Sequence, residues 1–438
     1  MTETLEAIHD GRRVGRLTYA DDRLGFAYAD EWRGDPGAFP LSLSMPLARP
    51  DHPDEVVHPF LSGLLPDDPE VLRRWARRFQ VSPRNPFRLL AHVGEECAGA
   101  IQFVPPERAA PWLGGSSPEG IDWLDEGELA ERIDDLVRDR SVARRGGDDG
   151  HFSLAGAQAK TALYRDPDSG RWGIPKGATP TTHILKPNRG EFEAFEVNEH
   201  FCLRLAARLG LRTARSWTET IGKRPVIIVE RYDRIRLGGR LVRVHQEDAC
   251  QALARPPESK YQSEGGPSAR EIFALIREHS SQASQDEASF LDALIYNFLI
   301  GGTDAHAKNF SLLLAAGAQV RLAPCYDLIS ILPYPHDSRK AKLAMKIGGD
   351  YLLWKIGKGH WEKAAAEWRL DPAQVGGRIA RMAAAMPDAV KAVGAAMSVS
   401  GRKERAYLRK LAEGIRARAE ECLRHVAGGG TGGNAAVL

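Results

Sequence analysis

The apolar and polar positions of the first hundred residues follow two different periods. Leu41, Leu43 and Met45 alternate with Ser42 and Ser44, the period-two signature of a half-buried strand. Phe60-Leu61-Ser62-Gly63-Leu64-Leu65 is a compact apolar stretch halted by Pro66-Asp67-Asp68, which predicts a helix stopped by proline. A second apolar region from Phe87 to Phe103 closes this unit, and Pro105, Pro106, Pro111, Gly114, Gly115 and Pro118 then predict a linker. Further on, Thr161–Tyr164 and Thr182–Lys186 read as two strands separated by a turn. Between Glu193 and Leu209, apolar Phe195, Cys202, Leu205, Ala206 and Leu209 have helical spacing that ends at Gly210. The β-branched run Pro225-Val226-Ile227-Ile228-Val229-Glu230 predicts a buried strand.

Beyond residue 250 the pattern is mainly helical. Phe290, Leu291, Leu294, Ile295, Phe298 and Leu299 form a stripe stopped by Gly301-Gly302. The chain therefore divides into an N-terminal α+β subdomain at 1–108, a strand-rich unit at 109–250, a helical unit at 251–426 and a disordered Gly/Ala-rich tail at 427–438. The polar, glycine-rich stretch Arg144 to Gly150 predicts a mobile loop. The mixed-charge segment Arg402 to Arg424 is most simply a solvated helix face, or a contact for DNA in a complex.

Composition narrows the function classes. With 60 basic and 58 acidic side chains the net charge is +2, so nothing in the balance marks a dedicated nucleic-acid or membrane binder. No apolar run approaches the roughly 18 residues of a membrane span, and Glu3 and Glu6 stand where a secretion signal needs basic and then apolar residues. A cytoplasmic location is expected. The five cysteines are scattered singly, which excludes CxxC zinc sites and disulfide frameworks.

Candidate chemistry follows the helical stripe. Asp304 and Asn309 lie five positions apart in Thr303-Asp304-Ala305-His306-Ala307-Lys308-Asn309, then two strand-like stretches, Phe310–Leu314 and Val320–Ala323, lead to Tyr326-Asp327. Such a spacing alone more often marks ordinary turn and cap formation. Its setting, between an apolar helix and a hairpin ending in a second aspartate, is the layout of a kinase catalytic loop and metal-binding segment. Asp327 and Asn309 offer hard oxygen ligands for Mg²⁺, Asp304 can orient an acceptor hydroxyl and take its proton, and Lys308 can place positive charge near a γ-phosphate. Lys186 ends a strand 13 residues before Glu199 on the next helix, and a strand lysine paired with a helix glutamate is how kinases hold the α- and β-phosphates. Ala155, Gly156, Ala157, Gln158, Ala159 and Lys160 form a small-residue stretch through which backbone amides can approach phosphates. His183, His200 and His245 share no metal-ligand spacing and read as structural.

These motifs, together with Leu41–Leu47, Gly63–Asp67, Ser153–Gln158, Ile174–Ile184, Val229–Arg234, Gln246–Asp248 and Leu343–Met345, resemble the HipA family of toxin kinases from about residue 10 to about 425. The resemblance implies a protein-kinase-like, two-lobed α+β fold with an extra N-terminal subdomain. It implies a serine/threonine kinase using ATP and Mg²⁺, with Asp304 as base, Asn309 and Asp327 as metal ligands, and Lys186 on the ATP phosphates. It also implies Glu230, Arg231 and Tyr232 beside the adenine, His306 and Lys308 near the phosphates, and Ser153 as the residue the kinase phosphorylates on itself. Implied partners are a HipB-like helix-turn-helix antitoxin, operator DNA through that antitoxin, and an aminoacyl-tRNA synthetase such as glutamyl-tRNA synthetase as substrate, whose modification stops translation and induces dormancy. Ala159 departs from the family, where a glutamate is expected. A kinase-shaped corepressor and a small-molecule kinase are the alternative readings.

Overall fold

The computed structural model describes residues 2–113, 119–142, 156, 158–335, 337–399 and 401–426. The loop expected at 144–150 and the tail at 427–438 lie outside the described residues.

The N-terminal unit is built on an antiparallel five-stranded sheet of β1 (Glu3–His9), β2 (Arg12–Ala20), β3 (Arg23–Tyr28), β4 (Asp51–His52) and β5 (Gln102–Val104), ordered β4-β3-β2-β1-β5. Three helices, Asp54–Gly63, Pro69–Phe79 and Pro86–Val93, pack beside it. The serine-leucine alternation at 41–45 is not a strand. It is a turn closed by a single bridge between Ser42 and Met45, and Ser42, expected to face solvent, is wholly buried. The reason is polar: the Ser42 hydroxyl meets Glu247 Oε2, the Leu43 amide donates to Glu247 Oε1 at 2.8 Å, and the Ser44 hydroxyl donates to the Gln251 carbonyl at 3.3 Å. The expected linker is also structured in part. Pro106–Leu113 is a helix whose Ala109 and Trp112 pack on Ile8 and Val104.

The second unit is a six-stranded antiparallel sheet of β6 (Glu119–Trp123), β7 (Thr161–Arg165), β8 (Trp172–Gly177), β9 (His183–Pro187), β10 (Ser216–Ile221) and β11 (Arg224–Glu230), ordered β10-β11-β9-β7-β8-β6. Where the sequence suggested a turn between two strands, β8 intervenes, while β7 and β9 pair directly. Residues of β11 alternate between two apolar layers. Val226 and Ile228 face Leu129 and Ile133 of the capped helix Glu126–Arg138, and Ile227 and Val229 join Phe195 of the helix Phe195–Arg208. Burial on both faces explains the unbroken β-branched run.

Next come the hairpin β12 (Arg234–Leu237) and β13 (Arg240–Arg243), then β14 (His245–Asp248), which pairs with β15 (Ser311–Ala315) and β16 (Gln319–Leu322). The residues that the sequence placed at the end of the strand-rich unit are thus bonded into the sheet of the helical unit. The helix Ala283–Ile300 ends at Gly301, whose φ of 67° is the left-handed conformation that stops a helix cheaply only at glycine. A final hairpin pairs β17 (Lys342–Ile347) with β18 (Asp350–Leu352). Three long helices, Lys358–Glu367, Pro372–Ala396 and Arg402–Val426, complete the unit. The last helix, despite its charge, buries Tyr407, Leu408, Leu411, Ile415 and Ala419 along one stripe.

The N-terminal unit and the helical unit share one continuous apolar core, whereas the six-stranded sheet keeps a separate one. Glu247 sits on the shared seam, and burial pushes its carboxyl up to about 8. A group whose folded pKa is raised contributes stability fully below its unfolded value and loses it as pH rises through the folded value. Glu247→Gln is therefore expected to flatten the fall of melting temperature between about pH 6 and pH 9 relative to wild type. Parallel melting curves across that range check it, and identical pH dependence in both proteins contradicts it.

Candidate active site

Lys186 sits on β9, opposite Ile227 of β11. Its Nζ lies 2.7 Å from Glu199 Oε1 and 2.9 Å from Asp327 Oδ1. Burial opposes charge on all three groups, but their mutual attraction decides the outcome for two of them. Asp327, half-buried and beside Lys186 and Lys160, is held at about 2 against its desolvation, and Lys186 is held above its ordinary value by Asp327 and Glu199. Glu199, wholly buried, is pushed up by burial against the pull of Lys186. Lys160, near the same cluster, is pushed down to about 8 by burial and by Lys186.

The helix carrying Glu199 is locked to the segment carrying Asp327 by its neighbour Asn198. Asn198 Nδ2 donates to the Ser330 carbonyl at 2.8 Å, its Oδ1 accepts from the Ser330 amide at 2.9 Å, and Tyr407 Oη lies 2.9 Å from the same Nδ2. Asp327 itself has φ 55°, a left-handed conformation that costs a non-glycine residue energy but is best tolerated by Asp and Asn.

The residues expected to form a catalytic loop make a second group. Asp304 is exposed, and its carbonyl accepts from Asn309 Nδ2 at 2.9 Å. That bond turns the amide nitrogen inward, leaving the Asn309 oxygen for another partner. His306 is buried, its ring centre 5.1 Å from that of Tyr261 in an edge-to-face arrangement, and its Nδ1 has no hydrogen-bond partner among the described residues. Tyr261 Oη donates to Asp304 Oδ1. The two groups are tied together by Tyr326, whose hydroxyl donates to the Lys308 carbonyl at 2.6 Å and also meets Ser311. Lys308 itself does not point freely into the site: its Nζ is bound by Asp67 of the N-terminal unit.

The hinge residues divide. Glu230 is partly exposed, 3.9 Å from Arg215. Tyr232 stacks on Tyr326 at 5.6 Å. The Arg231 side chain turns away into the N-terminal unit, bonding Glu96 at 3.1 Å and Asp233 at 2.8 Å, while its amide donates to the Thr182 carbonyl. The histidines behave as structural groups: His183 bonds Thr182, His200 bonds Ser216, and His245 meets the Leu41 carbonyl at 2.8 Å. Gly156, Gln158, Ala159 and Lys160 are described, with Gly156 at φ 103° and Ala159 buried. Ser153, Ala155 and Ala157 lie outside the described residues. Sequence reasoning gave no role to Asp67, Lys260 or Tyr261. Asp67 stood in a quoted motif, but Lys260 and Tyr261 carried no periodic or spacing signal.

Removing Lys186 leaves Glu199 buried without its cation, a situation that costs about 3 kcal/mol. Lys186→Met is expected to show that loss at pH 8 and a smaller one at pH 5, because burial raises the Glu199 carboxyl and acid relieves its unpaired charge. Denaturant titration at the two pH values measures it, and an equal or absent cost contradicts the buried pair.

Comparison with known proteins places the chain in a family. Residues 152–390 match the HipA-like C-terminal domain and residues 5–104 match the HipA N-terminal domain. The Sinorhizobium fredii protein Y4mE, which carries a provisional kinase name, is 39% identical over 363 residues, spanning 82% of this chain and 84% of that protein. The serine/threonine-protein kinase toxin HipA of Shewanella oneidensis is 28% identical over 368 residues, 80% of each chain. A solved complex of Shewanella oneidensis HipA with HipB and its operator DNA superposes with a TM-score of 0.84 at 25% identity, covering 97% of this chain and 98% of that one. With one family domain spanning more than half of its length and a second covering its N-terminal unit, the chain belongs to the HipA family of toxin serine/threonine kinases.

Proposed function

We propose that the chain, as the toxin of a toxin–antitoxin pair, transfers the γ-phosphate of ATP in a Mg²⁺-dependent reaction to a serine or threonine hydroxyl of a target protein. The observation that carries this reading is the buried Lys186 held between Glu199 and Asp327, with Asp304 and Asn309 bonded to each other in the adjoining loop. Lys186 binds the α- and β-phosphates, its orientation fixed by Glu199. Gly156 to Lys160 approach the phosphates through backbone amides, and the hinge at Glu230 to Tyr232 receives the adenine.

The ionised Asp327 and the amide oxygen of Asn309 are hard oxygen donors of the kind Mg²⁺ takes, and these two residues would hold the ion. Bound there, the ion supplies positive charge against the negative charge of the transferred group. Asp304, exposed toward incoming protein, orients the acceptor hydroxyl and takes its proton. Lys308 and His306 line the phosphate side of the loop.

The partners we propose are a HipB-like helix-turn-helix antitoxin and, through it, operator DNA, supported by the solved complex of the Shewanella relative with both. The proposed substrate is an aminoacyl-tRNA synthetase such as glutamyl-tRNA synthetase, whose phosphorylation stops translation. Ser153, just before the phosphate-binding stretch, is the proposed site of self-inactivation. A phosphate there adds nearly two negative charges where those of ATP must sit.

Purified protein with γ-labelled ATP and Mg²⁺ is expected to label itself, with the label mapping to Ser153. Asp304→Ala is expected to slow labelling by about three orders of magnitude, the scale that positioning and base catalysis supply. Labelling of Asp304→Ala near the wild-type rate removes that residue from its role, and label elsewhere than Ser153 overturns the self-inactivation site.

A further inference from the structure

Asp67 belongs to the N-terminal unit, yet its carboxylate lies against the catalytic loop. Its Oδ1 accepts from Lys308 Nζ, a residue 241 positions away, and its Oδ2 accepts from Lys260 Nζ at 2.8 Å. The Lys260 carbonyl in turn accepts from the Ala307 amide at 3.3 Å. Asp67, Lys260, Ala307 and Lys308 therefore close a ring, and little of it meets solvent: the side chains of Asp67, Lys308 and Lys260 are 10%, 4% and 17% exposed. The same segment also reaches the end of the phosphate-binding stretch. Pro66 bridges to Gly156, and the Asp67 amide donates to the Gly156 carbonyl at 3.3 Å.

A lysine has four rotatable side-chain bonds, and ordering it costs conformational entropy. Burying its charge without a partner costs more. Asp67 meets both costs at the loop that holds Asp304 and Asn309. The remaining groups facing Lys308 are Asp248, Cys250 and Lys160. Asp248 cannot replace Asp67 in this: its carboxylate accepts from the Gln251 amide at a helix start, and burial pushes it up to about 6. Asp67, pulled down by Lys308 and Lys260 against burial, stays ionised at about 2.

We propose that Asp67 is a positioning residue of the kinase site, fixing Lys308 within the catalytic loop so that the N-terminal unit completes the active site. The proposal rests on the reading of Lys308 as a phosphate-side residue. A purely structural Asp67, one that only glues two units together, would lower stability without acting through Lys308.

The test uses the full chain with γ-labelled ATP and Mg²⁺, reading the initial rate of self-labelling against ATP concentration, with a melting curve for every variant. Asp67→Asn is expected to lower the saturated rate about tenfold, the scale of a misplaced positioning group, while half-saturating ATP changes less than about threefold. Asp67→Glu, which keeps the charge, should fall between Asn and wild type. In a Lys308→Met background, Asp67→Asn should add less than about a twofold further loss, because contacting residues that act as one unit are not additive. A wild-type saturated rate in Asp67→Asn, or losses that multiply in the double variant, overturns the proposal. Where Asp67→Asn fails to fold, Asp67→Glu decides: a reduced saturated rate at unchanged melting temperature supports it, and an unchanged rate overturns it. If wild type transfers no label, or if Lys308→Met labels at the wild-type rate, it is the underlying reading of the site that fails. If Lys308→Met is slow and Asp67→Asn is not, only the present inference fails.

Discussion

The buried bridge of Lys186 with Glu199 and Asp327 is the interaction on which the rest of the structure depends. It joins a strand of the six-stranded sheet, the helix lying on that sheet, and the segment that follows the hairpin of β15 and β16. Burial penalises each charge, so the cluster persists only while all three partners are held in register. The surrounding architecture reads as a means of holding that register. Asn198 bonds both backbone groups of Ser330, Tyr326 spans to Lys308, and the left-handed backbone at Asp327 aims its carboxylate back at the lysine.

The N-terminal unit is part of the same framework. It shares its apolar core with the helical unit, and its Glu96 is buried among Arg231, Arg234 and Arg243, with Asp233 closing the cluster. Those arginines flank the hinge, so the residues proposed to receive the adenine are anchored from behind by the N-terminal unit. Asp67 does the same for the catalytic loop. A deletion of residues 2–104 would thus expose a large apolar surface and take from Arg243, Lys260 and Lys308 the carboxylates that face them.

What the sequence made legible follows from local physics. The run Pro225 to Glu230 appears as β11 because a strand buried on both faces must be apolar throughout, and the stripe from Phe290 to Leu299 appears as a helix ended by a left-handed glycine. The segments misread are those where a distant partner overrides local pattern. Ser42 and Ser44 imitate a solvent-facing alternation, but they are drawn inward by Glu247 and Gln251, some two hundred residues away. Pro106–Leu113 carries linker residues yet folds because Ala109 and Trp112 find an apolar surface. Within the site, Lys186, Glu199, Asp304, Asn309 and Asp327 were visible through spacing and motif. Asp67, Lys260 and Tyr261 were not, since their roles arise only from contacts across units. Arg231 sat at the expected hinge position, but its side chain serves the buried cluster behind it.

The central claim is that Asp327 and Asn309 hold Mg²⁺ for an ATP molecule gripped by Lys186. Calorimetric titration of ATP into the protein, with and without Mg²⁺, tests this most directly when wild type is compared with Asp327→Asn. The account predicts that Mg²⁺ tightens ATP binding to wild type and has little effect on Asp327→Asn. Binding to wild type that is indifferent to Mg²⁺, or a variant that responds to the ion as wild type does, would contradict it.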